Sequence, residues 1–138
     1  MRLIRVALRL KPGVNSIDPA DARVVVTFFD EDAGTREVLP TRAVVPREPI
    51  RIEGLWSGRE TKTVTAAYVV PRGFREEEQQ KHGEKRAYYG CVVQVYYREM
   101  IQDQQARPKS LLQEAQKIEP LHAAETPGDT PSAVPSAQ

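Results

Sequence analysis

Through residues 1–107 apolar side chains recur at every second position, in runs closed by Pro, Gly or Asp, and nowhere at sustained helical spacing. A period of two belongs to a strand, whose successive side chains point to opposite faces. The pattern therefore restricts the chain to a protein built of sheets. Ile4, Val6, Leu8 and Leu10 alternate with Arg5, Ala7, Arg9 and Lys11, which predicts a first strand with one face in a core and a basic face in water. Pro12-Gly13 closes it, and Asp18-Pro19-Ala20-Asp21 has the chemistry of turns, with one short helical turn compatible with it. Residues 23–30, RVVVTFFD, are β-branched or aromatic on both faces, as expected of a strand in the middle of a packed sheet.

Residues 36–39 can form a short strand, after which prolines at 40, 46 and 49 allow only short or edge strands. Residues 49–56, PIRIEGLW, alternate again. Residues 62–70, KTVTAAYVV, carry Val64, Ala66, Tyr68 and Val70 on one face. The charged stretch 71–86 has loop composition, with at most a short helix over residues 76–81. It is followed by AYYGCVVQVYY, residues 87–97, where strict alternation puts Tyr89, Cys91, Val93, Val95 and Tyr97 on the expected core face. Tyr88, Gly90, Val92, Gln94 and Tyr96 then face outward. Arg98 and Glu99 predict a tight turn into a last strand over residues 100–107, ended by Pro108.

Seven or so short strands with frequent turn signals predict an all-β antiparallel sandwich over residues 1–107. Leu111, Leu112, Ala115 and Ile118 recur at helical spacing and predict a short amphipathic helix within 108–124. Residues 125–138, ETPGDTPSAVPSAQ, hold hardly any core former and predict a disordered tail.

Function classes narrow by subtraction. Lys and Arg number 20 against 19 Asp and Glu, so a net charge of +1 makes no field that would draw the chain to nucleic acid or an anionic membrane. One Cys and two His supply neither an internal disulfide nor a structural zinc site. No apolar run approaches the roughly 18 residues of a membrane span. Phosphate loops, zinc helices of the His-Glu type and serine elbows are missing, and neither His82 nor His122 is placed beside Cys91 as a base. These absences predict a non-enzymatic chain without cofactor or metal. Three adjacent acids, Asp30, Glu31 and Asp32, follow a strand as calcium-binding loops do, but their spacing matches no established loop and a solvated turn is the plainer reading.

The candidate contact residues are Tyr88, Gln94 and Tyr96 on the outward face of their strand, and Leu111, Leu112 and Ile118 on the helix. Protein partners, a second copy of the chain among them, are the class of ligand they suit.

A Tyr two residues before a Cys, opening a long penultimate strand, resembles the tyrosine corner of immunoglobulin-like folds, here Tyr89-Gly90-Cys91. Trp56 is the counterpart of their core tryptophan in that comparison, displaced to the end of its apolar run. No second Cys pairs with Cys91, so fibronectin type III domains are the nearer comparison. The runs RAYYGCVVQVYYREMIQDQQARP, RVVVTFFDED and LRLKPG also resemble uncharacterised envelope proteins of Verrucomicrobia, one of them, from Akkermansia, associated with a pilus-like gene cluster. That resemblance implies an immunoglobulin-like fold and a role in the cell envelope, in the periplasm or on the outer surface, with any signal peptide absent from this sequence. The alternative is a cytoplasmic adaptor that docks through the C-terminal helix.

Overall fold

The computed structural model describes residues 2–43, 50–113 and 131–137, the last of these by backbone and strand pairing. It is an all-β arrangement of antiparallel sheets. Strands β1 (Arg2–Leu10), β2 (Ser16–Ile17), β3 (Ala22–Asp32), β4 (Val38–Pro40), β5 (Ile50–Arg51) and β6 (Trp56–Ser57) come first. They are followed by β7 (Lys62–Tyr68), helix α1 (Phe74–His82), β8 (Arg86–Tyr97), β9 (Met100–Arg107) and β10 (Pro131–Ala137). Strands β10, β1 and β7 form one sheet in that order. A second sheet runs β4-β3-β8-β9, with β5 also pairing β3, and β2 pairs β6 separately.

Alternation explains most of the burial. Ile4, Val6, Leu8 and Leu10 of β1 meet Val64, Ala66 and Tyr68 of β7 and, from the second sheet, Ala22, Val24, Phe28, Cys91, Val93, Val95 and Tyr97 in one hydrophobic cluster. Each fully buried aliphatic side chain contributes about 1.5–3 kcal/mol relative to its exposed state. Trp56 is buried in the same cluster and its indole Nε1 donates to the Glu60 carbonyl at 3.0 Å. It comes from the short β6, while β3 contributes Phe28 to the core.

Several local expectations change. The strand expected over residues 49–56 is broken into β5 and β6, with Gly54 between them at φ +77°. The short helix is longer than residues 76–81 and ends at Gly83, whose left-handed backbone (φ 67°) lets its N–H reach the Gln79 carbonyl at 2.8 Å. The turn at Arg98 and Glu99 forms, both residues taking positive φ. The disordered tail is corrected for residues 131–137, which pair with β1 from Ile4↔Ala137 to Leu10↔Pro131. Composition predicts poor burial, but an edge strand needs mainly a backbone ladder, which small residues supply as well as large ones.

The predicted C-terminal helix begins as a turn after Pro108. There Leu111, Leu112 and Gln113 donate their N–H groups to the carbonyls of Pro108, Lys109 and Ser110. Its continuation, Ile118 included, lies outside the described residues. Among the described residues no helix is long and apolar enough to cross a membrane.

Candidate functional site

Among the described residues, those singled out by sequence do not assemble into one surface. In β8 the pairing with β3 runs Phe28↔Cys91 and Phe29↔Gly90, then jumps to Asp30↔Tyr88. The extra residue is Tyr89, a β-bulge that exchanges the faces of the two tyrosines. Tyr88, expected outside, turns in with the core. Its ring lies 4.9 Å from that of Tyr68 in an edge arrangement, and the Arg2 guanidinium sits 4.2 Å above it. Tyr89, expected in the core as the corner tyrosine, packs on the other face of the sheet beside Phe29, Val38, Val92 and Leu111. Gly90 is required at this bulge, because a Cβ there would run into the Arg107 carbonyl and the Pro108 ring.

Gln94 and Tyr96 do point to the second face, but both are buried, at 6% and 9% exposure. The Arg23 guanidinium covers the Tyr96 ring at 4.1 Å and is itself tied to Glu99 at 3.2 Å. Leu111 is fully buried and Leu112 packs against the same cluster. Within this chain, Gln94, Tyr96 and Leu111, expected as contact residues, are thus buried, and Tyr88 is half-buried against the core. Cys91 is buried, and burial pushes its thiol above the ordinary range, against the lowering effect of its hydrogen bond with Tyr88.

The polar constellation that does assemble centres on Asp30, a residue with no solvent exposure. Its carboxylate accepts hydrogen bonds from Tyr68 Oη at 2.6 Å, Thr41 Oγ1 at 2.7 Å and both terminal nitrogens of Arg75, at 3.1 and 3.2 Å. Arg75 also donates to the Tyr68 hydroxyl. Its fork matches the two carboxylate oxygens, the geometry that makes Arg suited to buried pairs. Arg75 and Glu78 lie three residues apart on α1, on one face of the helix, and Arg75 Nη1 donates to Glu78 Oε1 at 2.8 Å. The chain of charges continues through Arg42, 3.6 Å from Glu78 Oε2 and 2.9 Å from Glu84. It ends at the buried Arg86, which holds Glu84 at 2.7 Å and the Pro40 carbonyl at 3.1 Å.

This network clamps α1 and the segment around Arg42 to the end of the two sheets. Burial pushes the Tyr68 phenol up to about 12, and the hydrogen bond and charge of Asp30 act in the same direction. Arg75 is raised as well: burial opposes its charge, but Asp30 and Glu78 outweigh that cost. The hydrogen bond from Arg86 is the main cause that holds the Glu84 carboxyl below its ordinary value. The guanidinium and carboxylate groups are paired with one another throughout, so the arrangement is one of structural ion pairs.

Beside the clamp, Arg42, Phe74, Glu77, Glu78, Lys81 and His82 line a shallow cleft of about 140 Å³. Glu78 Oε2 is buried and makes no hydrogen bond, although Arg42 balances its charge.

The acidic turn after β3 divides among separate partners. Asp30 belongs to the clamp, Glu31 meets Arg36 at 3.3 Å, and Asp32 accepts from the Gly34 N–H at 3.0 Å and the Thr35 hydroxyl at 3.3 Å. Among the described residues no three His, Cys, Asp or Glu side chains converge as a metal site requires.

Sequence reasoning missed Thr41, Arg42, Tyr68, Arg75, Glu78, Glu84 and Arg86. The one legible signal was an Arg and a Glu three apart at residues 75 and 78, in a stretch whose charge density reads as solvated. Comparison with protein-family models, with curated proteins and with solved structures finds no match to this chain.

Proposed function

We propose that the chain is an immunoglobulin-like β-sandwich acting as a non-enzymatic binding or structural component of a cell-envelope or pilus-like surface assembly. The observation that carries the sandwich reading is strand order. Strands β3, β8 and β9 stand in the relation of C, F and G, β4 and β5 lie where C′ would, and β1 and β7 stand as B and E. The place of strand A, antiparallel beside B, is filled by β10. The step from this order to a role in an assembly is fold-level analogy. The envelope location comes from the resemblance carried by residues 86–108 together with the two shorter runs.

The clamp supports the non-enzymatic part of the reading, because its charged groups are spent on one another between sheet and helix. A cytoplasmic adaptor working through residues 108–124 has less support, since Leu111, its first apolar anchor, is buried in the domain's own second core.

Fractionation of the source cells, with the mature N-terminus read by mass spectrometry, tests the proposal. A processed chain in the envelope fraction is the expected result. An unprocessed chain confined to the cytosol would remove the envelope role and leave the sandwich reading to stand alone.

A further inference from the structure

We propose that β10 is an exchangeable strand, and that the edge of β1 accepts β10 from a second copy of this chain. The inference rests on the reading of the chain as a component of an assembly and specifies the contact through which copies join.

Among the described residues strand β10 pairs only with β1, through seven opposed positions, and it also lies against β8 and β9 of the other sheet. It thus closes the side of the stack between β1 and β9. Strands β3 and β8, by contrast, have paired neighbours on both sides. Two of the seven β10 residues are Pro131 and Pro135, residues that sheets admit on edge strands. If β10 leaves, β1 keeps an open row of backbone donors and acceptors above Ile4, Val6, Leu8 and Leu10, the four residues it contributes to the core. An extended segment that restores the ladder must fill that slot.

A copy of β10 from a neighbouring chain makes the same ladder, residue for residue. Only the tether distinguishes the two pairings. Seventeen residues separate Gln113 from Pro131 in the sequence, and a stretch of that length reaches up to roughly 60 Å. That exceeds the width of a domain whose radius of gyration is about 13 Å. A covalent link holds a strand near its own partner edge at an effective concentration on the order of millimolar. Dilute chains therefore close on themselves, as in this structure, and chains packed side by side exchange. Passed in one direction from copy to copy, the exchange is head-to-tail and generates an open chain of subunits.

Ala7 lies opposite Val134 in the ladder, which gives a direct test on the full-length chain. A chain carrying Ala7→Cys is mixed with one carrying Val134→Cys under mild oxidation, and the products are separated on a non-reducing gel. Cys91 is buried, and each variant alone serves as the control. Exchange predicts a covalent dimer of the two different variants, sparse at micromolar concentration and abundant at about 1 mM. The double variant, kept dilute, is expected to form its disulfide within one chain. Absence of the mixed dimer at 1 mM while the double variant closes internally would overturn exchange. Failure of the double variant to close at all would remove β10 from the edge of β1 and overturn it equally. Neither result bears on the cell fraction in which the protein is found, so failure of exchange and failure of the envelope reading remain separable.

Discussion

Asp30 has no solvent exposure, and four donor atoms from Tyr68, Thr41 and Arg75 converge on its carboxylate. Removing one member of such a pair strands the other, which costs more than the pair itself contributes. Asp30→Asn is therefore expected to lower unfolding stability by about 3 kcal/mol in urea titration. A loss below about 1 kcal/mol would show that α1 is held by packing alone. Tyr68→Phe removes one neutral donor and leaves Thr41 and Arg75 in place, so its cost near neutral pH is expected at about 1 kcal/mol. The same substitution has a distinct alkaline effect. A phenol held to about 12 in the folded protein ionises near 10 in the unfolded chain, so its stabilising contribution is complete below pH 10 and declines as pH rises toward 12. The decline, up to about 1.4 kcal/mol per pH unit, should be shallower in Tyr68→Phe. Tyr88 is raised too, again mainly by burial, and accounts for alkaline sensitivity that remains. None of this was legible residue by residue. Asp30 and Arg75 are 45 positions apart, and local composition assigns both to polar turns.

At the scale of elements, the deciding event is the single bulged residue in β8. Periodicity correctly paired Cys91, Val93, Val95 and Tyr97 on one face, and then misassigned the two tyrosines on the far side of the bulge. One extra residue inverts all alternation beyond it, and no side-chain pattern marks that insertion in advance. Gly90 is the only local trace, a residue needed because β9 ends against it. Leu111 illustrates a second reversal. Helical spacing identified it as a docking side chain, whereas the turn after Pro108 folds it beneath the second sheet against Phe29, Val38 and Val92. Leu111→Ala is expected to cost about 2–5 kcal/mol, read as a lowered thermal midpoint. A variant as stable as the parent would return Leu111 to the candidate contact residues.

For the whole molecule, the two sheets share one core, and their long strands differ in how they are held. Strand β8 lies between β3 and β9, while β10 is held from one side by β1. Opening free energies should follow that difference. Native-state hydrogen exchange is expected to show the amides of Ser132, Ala133, Val134, Ser136 and Ala137 exchanging orders of magnitude faster than those of Val92 to Val95. Equal protection would mean that β10 unfolds only with the core and is not released on its own. The sequence by itself determined the all-β class, the first, third, seventh, eighth and ninth strands and most of the core positions, because those depend on alternation, β-branched composition and turn signals within a single segment. Only the tertiary structure decided which tyrosine faces inward, that Asp30 and Arg75 meet, and that residues 131–137 complete a sheet begun at residue 2. Each of these is a contact between distant segments, whose free energy arises on assembly and leaves no periodic trace in either segment alone.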